Sequence, residues 1–469
     1  MSTEELPDHW AESSLGDIAH KLVDGSHNPP PKQSSGLPML SAVNINRNTI
    51  DFTENFRLID EAAFAEEDRR TAVVPGDILL TIVGAIGRAA VVPAHIDKFT
   101  LQRSVAVIGP ALVDSKFLCY QFEASQLARY LTDNARGTAQ KGVYLKTLAK
   151  AKVHLAPLRE QRRIVAKIEE LFSELDKGVE ALTTAREQLK VYCKTLLDQA
   201  ASGDLLVAHG VQKGRFNEDT WRSLSEVVSS LGQGWSPRCL NHPSSSEELW
   251  AVITTTAIQH GSFGDQENKQ LPDELEPRTH LVIQPGDILV TRAGPRKRVG
   301  VACLVRRSRP RLLVCDKAYR LRVKEKELLP EWMELILNSP RILQSVEELK
   351  TGISDSGVNL TQDRFLGLRV PVPSLKAQRE TLSIVDAATS HATNLAGQID
   401  SALIQIDALR QSILKQAFSG QLVAQDPADE PASVLLERIR VERNKADAKK
   451  PGRKTKITGN RKTGKRATA

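Results

Sequence analysis

Two stretches of the chain, 210 residues apart, carry nearly the same hexad: Val74-Pro75-Gly76-Asp77-Ile78-Leu79 and Gln284-Pro285-Gly286-Asp287-Ile288-Leu289. Each is followed by an apolar run, a glycine-bearing turn and a second apolar run, which reads as strand, turn, strand. Trp10 precedes the first copy and Trp221 the second. A longer repeat lies downstream. Gln161-Arg162 returns as Gln378-Arg379 and Ser202-Gly203-Asp204-Leu205 as Ser419-Gly420-Gln421-Leu422, both 217 residues on. The chain is therefore one plan used twice, a globular part followed by a long helix.

The helices are read from their apolar spacing. Val165, Ile168, Phe172, Leu175, Val179, Leu182, Leu189 and Leu196 follow a 3,4 pattern broken at Arg186. Leu382, Val385, Ile399, Leu403, Ile406 and Ile413 do the same, with faults at Thr389 and Arg410. Such a narrow seam requires a partner helix. Pro157 and Pro373 stand before the helices, and Gly203 and Gly420 after them, as start and stop signals. Packing of each helix on its own domain is one reading. Antiparallel packing of the two seams on each other is favoured, because the helices are of equal length. The fold expected is α+β: two pseudo-symmetric mixed α/β domains separated by two long antiparallel coiled-coil helices. A pair of domains related by a pseudo-twofold axis suits two DNA half-sites.

These features together resemble the specificity (S) subunit of type I restriction–modification systems. The likeness rests on Pro-Gly-Asp-Ile-Leu in each half, on Ala156-Pro157-Leu158-Arg159-Glu160-Gln161-Arg162-Arg163-Ile164-Val165 at the first helix, and on Ser-Gly-x-Leu closing both helices. It covers about residues 10–424, and it departs at Ala377, which stands where the first copy has Glu160. The resemblance implies target recognition domains at 1–157 and 207–373 and conserved spacer helices at 158–206 and 374–424. It implies a non-catalytic reader of a split target in double-stranded DNA. Its implied partners are two copies of an adenine-methylating modification subunit, which carries S-adenosylmethionine, and a restriction/translocase subunit.

Composition narrows the rival classes. Residues 444–469 carry a net charge of +9 against +7 for the whole chain, so the preceding residues carry a net of −2 and the basicity belongs to the tail. Residues 425–469 are expected to be a basic, disordered tail. Asn28-Pro29-Pro30-Pro31 mimics an adenine methyltransferase motif but ends in proline, which offers no ring to stack on a flipped base. Gly459 to Arg466 mimics a phosphate loop, with Arg466 where Ser or Thr would hold magnesium. The five cysteines form no C-x-x-C pair and the ten histidines no H-x-x-x-H pair, so neither a cofactor nor a metal is expected in this chain. No apolar run reaches membrane-spanning length and no signal peptide is evident, so a cytoplasmic location is expected. A self-contained DNA-modifying enzyme, and a coiled-coil interaction protein with degenerate domains, stay open as alternatives.

Readers of DNA need donors on loops that enter a groove. In the first half the candidates are Ser26, His27, Asn28, Lys32 and Gln33 in a proline-stiffened loop, Arg103 between two strands, and Arg136, Gln140 and Lys141 in a glycine-bearing loop. In the second half they are Arg292, Arg296, Lys297 and Arg298 in one turn, then Asp355 and Asn359. A plain charged surface turn is the competing account of each.

Overall fold

The structure, a computed structural model, describes residues 6–53, 55–137, 140–352 and 354–448. The chain divides into two compact units, one made of Met1–Glu180 with Leu403–Ala469, the other of Ala181–Ala402.

The centre of the first unit is an antiparallel sheet of β1 (Ala19–Asp24), β2 (Ile78–Thr81), β3 (Ala89–Val91) and β4 (Val105–Pro110), in the order β1-β4-β2-β3. Side chains alternate between its two faces. Ile78, Leu80, Ala106 and Ile108 join a core with Phe117, Ile164 and Ile168, while Leu79, Val105 and Val107 join a second cluster around Leu40, Ile45 and Phe99. A strand covered on both faces has no polar alternation, which is why Ile78-Leu79-Leu80 reads as an unbroken apolar run. The second unit repeats the plan with β5 (Val228–Gln233), β6 (Ile288–Thr291), β7 (Ala302–Leu304) and β8 (Ala318–Val323), in the order β5-β8-β6-β7.

The repeated motifs hold equivalent joints. Gly76 and Gly286 both adopt φ +88°, a left-handed turn that favours glycine. The next residue closes that turn: the Asp77 carboxylate accepts the Val74 N–H at 2.8 Å, and Asp287 accepts that of Gln284 at 2.8 Å. Each aspartate then pairs with a cation from another strand of its sheet, Lys21 on β1 and Arg322 on β8. Gln161 accepts the Asp114 N–H at 2.9 Å and donates to the Ala156 carbonyl at 2.8 Å. Gln378 does the same with Leu329 at 2.9 Å and Pro373 at 2.8 Å.

The long helices are α1 (Leu158–Ser202, 45 residues) and α2 (Leu375–Phe418, 44 residues). In each unit they run antiparallel. In the first, Arg410 pairs with Asp176 and lies 5.0 Å over the ring of Phe172. In the second, Arg186 pairs with Asp400 at 3.4 Å. Two of the three faults in the apolar pattern are thus cross-helix ion pairs, and the third, Thr389, turns its hydroxyl back to the Val385 carbonyl at 2.8 Å. Both packing readings hold at different points. The helix ends enter the domain cores through Val165, Ile168, Phe172, Leu196 and Val385. The helix middles, including Val179, Leu182, Leu189, Ile399, Leu403 and Ile406, are half-buried, and Ile406 lies over Gly178 of the other helix.

The tail departs from expectation. Residues Ala432–Ala448 form helix α3, and Ala432, Leu435 and Ile439 are buried in the core of the first unit. The Ala432 N–H donates to the His9 carbonyl at 2.9 Å, Arg163 pairs with Asp429 at 2.7 Å, and Arg443 donates to the carbonyls of Gly16 and Asp17 at 2.8 Å each. The helix has a weak signature in the sequence, because its apolar stripe is short and lysine-rich residues follow it. The phosphate-loop mimic at 459–466 lies outside the described residues.

Candidate nucleic-acid interface

In the first unit β1 and β2 end, and β3 and β4 begin, at one end of the sheet. All the candidate segments of that unit emerge there. The loop after β1 is threaded beside the residues before β4: the Ser26 N–H donates to the Leu101 carbonyl and the Arg103 N–H to the Ser26 carbonyl, both at 2.8 Å. Only glycine fits at position 25, because a β-carbon would run into the carbonyl oxygens of Leu101 and Gln102. The loop containing Arg136 and Lys141 lies on the turn after β2, where the Val143 N–H donates to the Ile82 carbonyl at 2.8 Å.

This end of the sheet sorts the candidates. Ser26 is buried and its hydroxyl donates to Glu67 at 2.7 Å, which places it in the scaffold and corrects its reading as a contact. His27 is exposed but pairs with Asp24 at 2.8 Å. Asn28, Lys32, Gln33, Arg103, Arg136, Gln140 and Lys141 all face solvent. Arg57 donates to the Pro30 carbonyl and fixes the proline loop from below.

The second unit builds the same edge at the ends of β5 and β6. The Gly234 N–H donates to the Ala318 carbonyl and the Trp235 N–H to the Val314 carbonyl, repeating the Gly25–Ser26 arrangement. A β-carbon at Gly234 would strike the carbonyls of Val314 and Cys315. The loop at 351–359 returns to the turn after β6, where the Leu360 N–H donates to the Arg292 carbonyl at 2.7 Å.

Here the cationic patch is mostly engaged. Arg292 donates to the Asp316 carbonyl at 3.0 Å and lies 5.4 Å over the Tyr319 ring. Arg296 binds Glu347 at 2.6 Å, Asp355 at 3.1 Å and the Gly352 carbonyl at 3.1 Å. Arg298 donates to the carbonyls of Thr255 and Ile258 at 2.6 Å each. The Lys350 ammonium and the Arg296 guanidinium hold the Glu347 carboxyl below the usual glutamate value. Of the four cations only Lys297 is exposed and without a side-chain partner among the described residues. Asp355 is open to solvent apart from its Arg296 pair, and Asn359 is exposed with its backbone paired to Thr351.

Comparison with known proteins follows the same division. Residues 7–184 match the type I restriction modification DNA specificity domain. The chain is 34% identical over 182 residues to the EcoEI specificity subunit of Escherichia coli, covering 39% of this chain and 31% of that one. It is 23% identical over 476 residues to the Escherichia coli EcoKI specificity subunit, covering 97% of this chain and all of the other. Residues 7–184 thus carry a type I restriction–modification DNA specificity domain, and the chain as a whole is similar to specificity subunits of such systems. The HsdS subunit of Thermoanaerobacter tengcongensis shares the fold, with a TM-score of 0.54 at 19% identity over 89% of this chain and 98% of that one. A chain from a structure of type I complex assembly aligns with a TM-score of 0.63 at 20% identity, covering 89% of this chain and 100% of that one.

The two edges also contain residues that sequence reading missed. Arg238 and Lys317 are exposed at the second edge without side-chain partners among the described residues. The signal was present: Gly234-Trp235-Ser236-Pro237-Arg238 follows β5 as the proline loop follows β1, but the two segments share little beyond their glycine and a proline. Among the described residues, no cluster of three or more histidine, cysteine, aspartate or glutamate side chains could hold a metal, and no helix is long and apolar enough to cross a membrane. Burial pushes the thiols of Cys303 and Cys315 up to about 12 and about 11, so both are poor nucleophiles at neutral pH.

Proposed function

We propose that this chain acts as a non-catalytic reader, each edge engaging one half of a gapped target in double-stranded DNA. Residues 1–157 and 207–373 are the two recognition domains in this reading. The observation that carries it is the duplicated edge: one scaffold, built twice from the same joints, presents different exposed side chains at matched loops. Repeated support with diverged contacts is what reading two different half-sites requires. The chemistry is assigned to partners. Two copies of a modification subunit supply adenine methylation with S-adenosylmethionine, and a restriction/translocase subunit joins them in the cytoplasm. An apolar groove of about 580 Å³ in the second unit, lined by Tyr192, Leu196, Ile384, Ala387 and Ala388, supports docking of a modification subunit on the helices.

The test is co-expression with the candidate modification subunit, followed by mapping of methylated adenines across the host genome. A two-part motif that vanishes when this chain is omitted is the expected result. Methylation by this chain alone overturns the non-catalytic assignment.

A further inference from the structure

Aromatic side chains make up 4% of the sequence, and among the described residues only two aromatic rings are exposed, Tyr144 and Tyr192. Tyr192 belongs to the groove on the helices. Tyr144 stands at the edge of the first unit, 67% exposed. Its backbone is fixed on both sides. Val143 before it is buried and bonded to Ile82, the residue that follows β2. The Tyr144 carbonyl accepts the N–H groups of Thr147 and Leu148 at 2.9 Å each. The turn that follows is anchored by buried Leu148 and by the Tyr130 hydroxyl, which donates to the Thr147 carbonyl at 3.0 Å. A large ring is therefore held in solvent on a rigid support, where a soluble protein gains nothing from its exposure.

The surroundings are one-signed. Residues 134–151 contain Arg136, Lys141, Lys146 and Lys150 and no carboxylate. All four are exposed, and none has a side-chain partner among the described residues. The matched position in the second unit is Thr361, and residues 351–368 there contain Asp355, Asp363 and Arg364. Free cations neutralise the phosphates of a duplex, and an exposed ring among them offers apolar contact to base edges, such as a thymine methyl, in the groove.

We propose that Tyr144 is a specificity-determining contact of the first unit: its ring makes apolar contact with base edges and sugars in the groove of one half-site, while Lys141, Lys146 and Lys150 neutralise the flanking phosphates. This rests on the DNA-reading function proposed above. A ring contact and a phosphate contact differ in what they respond to. Loss of the ring costs affinity at its half-site with little change in salt dependence. Loss of a lysine weakens all sequences and lowers the salt slope by about 0.9 per contact.

The experiment is selection of bound duplexes from a random-sequence 40-bp pool by the full chain, wild type against Tyr144→Ala, Tyr144→Phe and Lys317→Ala, followed by affinity measurement on the winners. Wild type is expected to enrich a two-part motif. Tyr144→Ala should bind it about 10- to 100-fold more weakly and lose enrichment in one half only, Tyr144→Phe should keep both halves, and Lys317→Ala should weaken all sequences alike while keeping enrichment of both halves. Enrichment of both halves by Tyr144→Ala at wild-type affinity overturns the Tyr144 assignment alone. Failure of the wild type to enrich any motif overturns the DNA-reading function and this contact with it.

Discussion

At the edge of the first unit, Arg103, Arg136 and Lys141 have no side-chain partners among the described residues; at the edge of the second, Arg292, Arg296 and Arg298 are bonded to carbonyls and carboxylates of their own domain. The sheet, the glycine after its first strand and the turn after its third are shared, so the difference lies in the side chains alone. An arginine count would have put the stronger DNA contact in the second unit. Geometry removes Arg296 from that count, because an arginine already bound to Glu347 and Asp355 must surrender those bonds before meeting a phosphate. The units differ in their support as well. The first is completed by α3 from the far end of the chain, whereas the second is one continuous segment, Ala181–Ala402.

That second difference gives the largest expected effect. Leu435→Ala with Ile439→Ala removes two buried side chains of α3, each at a cost of about 2–5 kcal/mol. Hydrogen exchange should then accelerate in peptides from 10–180 and 403–440 and stay at wild-type levels in 200–400. Equal acceleration in both would erase the contrast in support.

The shared joints should behave alike. Gln161→Ala and Gln378→Ala each leave buried backbone groups unpaired, at about 1–3 kcal/mol. Each should loosen its own unit by a similar amount, again read by hydrogen exchange. A large effect at one and none at the other would break the equivalence of the two copies.

The contrast between bound and free cations is tested within a single turn. Arg296→Ala should loosen the 351–359 loop and lower thermal stability, with a loss of about 1–2 kcal/mol. Lys297→Ala should leave the melting temperature in place and lower the salt slope of DNA binding by about 0.9. The reverse pattern would return Arg296 to the contact surface.

These joints also show why the scaffold was legible and the edges were not. Asp77, Gln161 and their copies each satisfy fixed backbone groups, so the same residue type recurs at the same spacing and can be found by eye. The chain could likewise be read as two seams because the apolar spacing is imposed by helix geometry. Contact residues face solvent and obey no internal constraint. Arg238 and Tyr144 are indistinguishable in sequence from ordinary surface residues, and only their position on the sheet end singles them out. Arg296 shows the converse: its charge was visible, but Glu347, 51 residues away, was needed to reveal its bond.

The smallest expected effect concerns a buried motif position where the copies differ. Glu160 accepts the Trp10 indole N–H at 3.1 Å, while Ala377 stands at the matched place in the second unit. Burial pushes the Glu160 carboxyl above the ordinary glutamate value of 4.5, aided by Asp429 and opposed by the Trp10 bond, Arg163 and His9. The folded state therefore holds this proton more tightly than the unfolded state. Its contribution is fully present below pH 4.5 and is lost as pH rises through the elevated folded value. Glu160→Gln keeps an acceptor for the indole and removes the titration. The melting temperature of the variant relative to wild type should therefore rise between pH 4.5 and pH 8, by about a degree or two. A constant difference across that range would mean that the Glu160 charge is as well stabilised in the fold as in water.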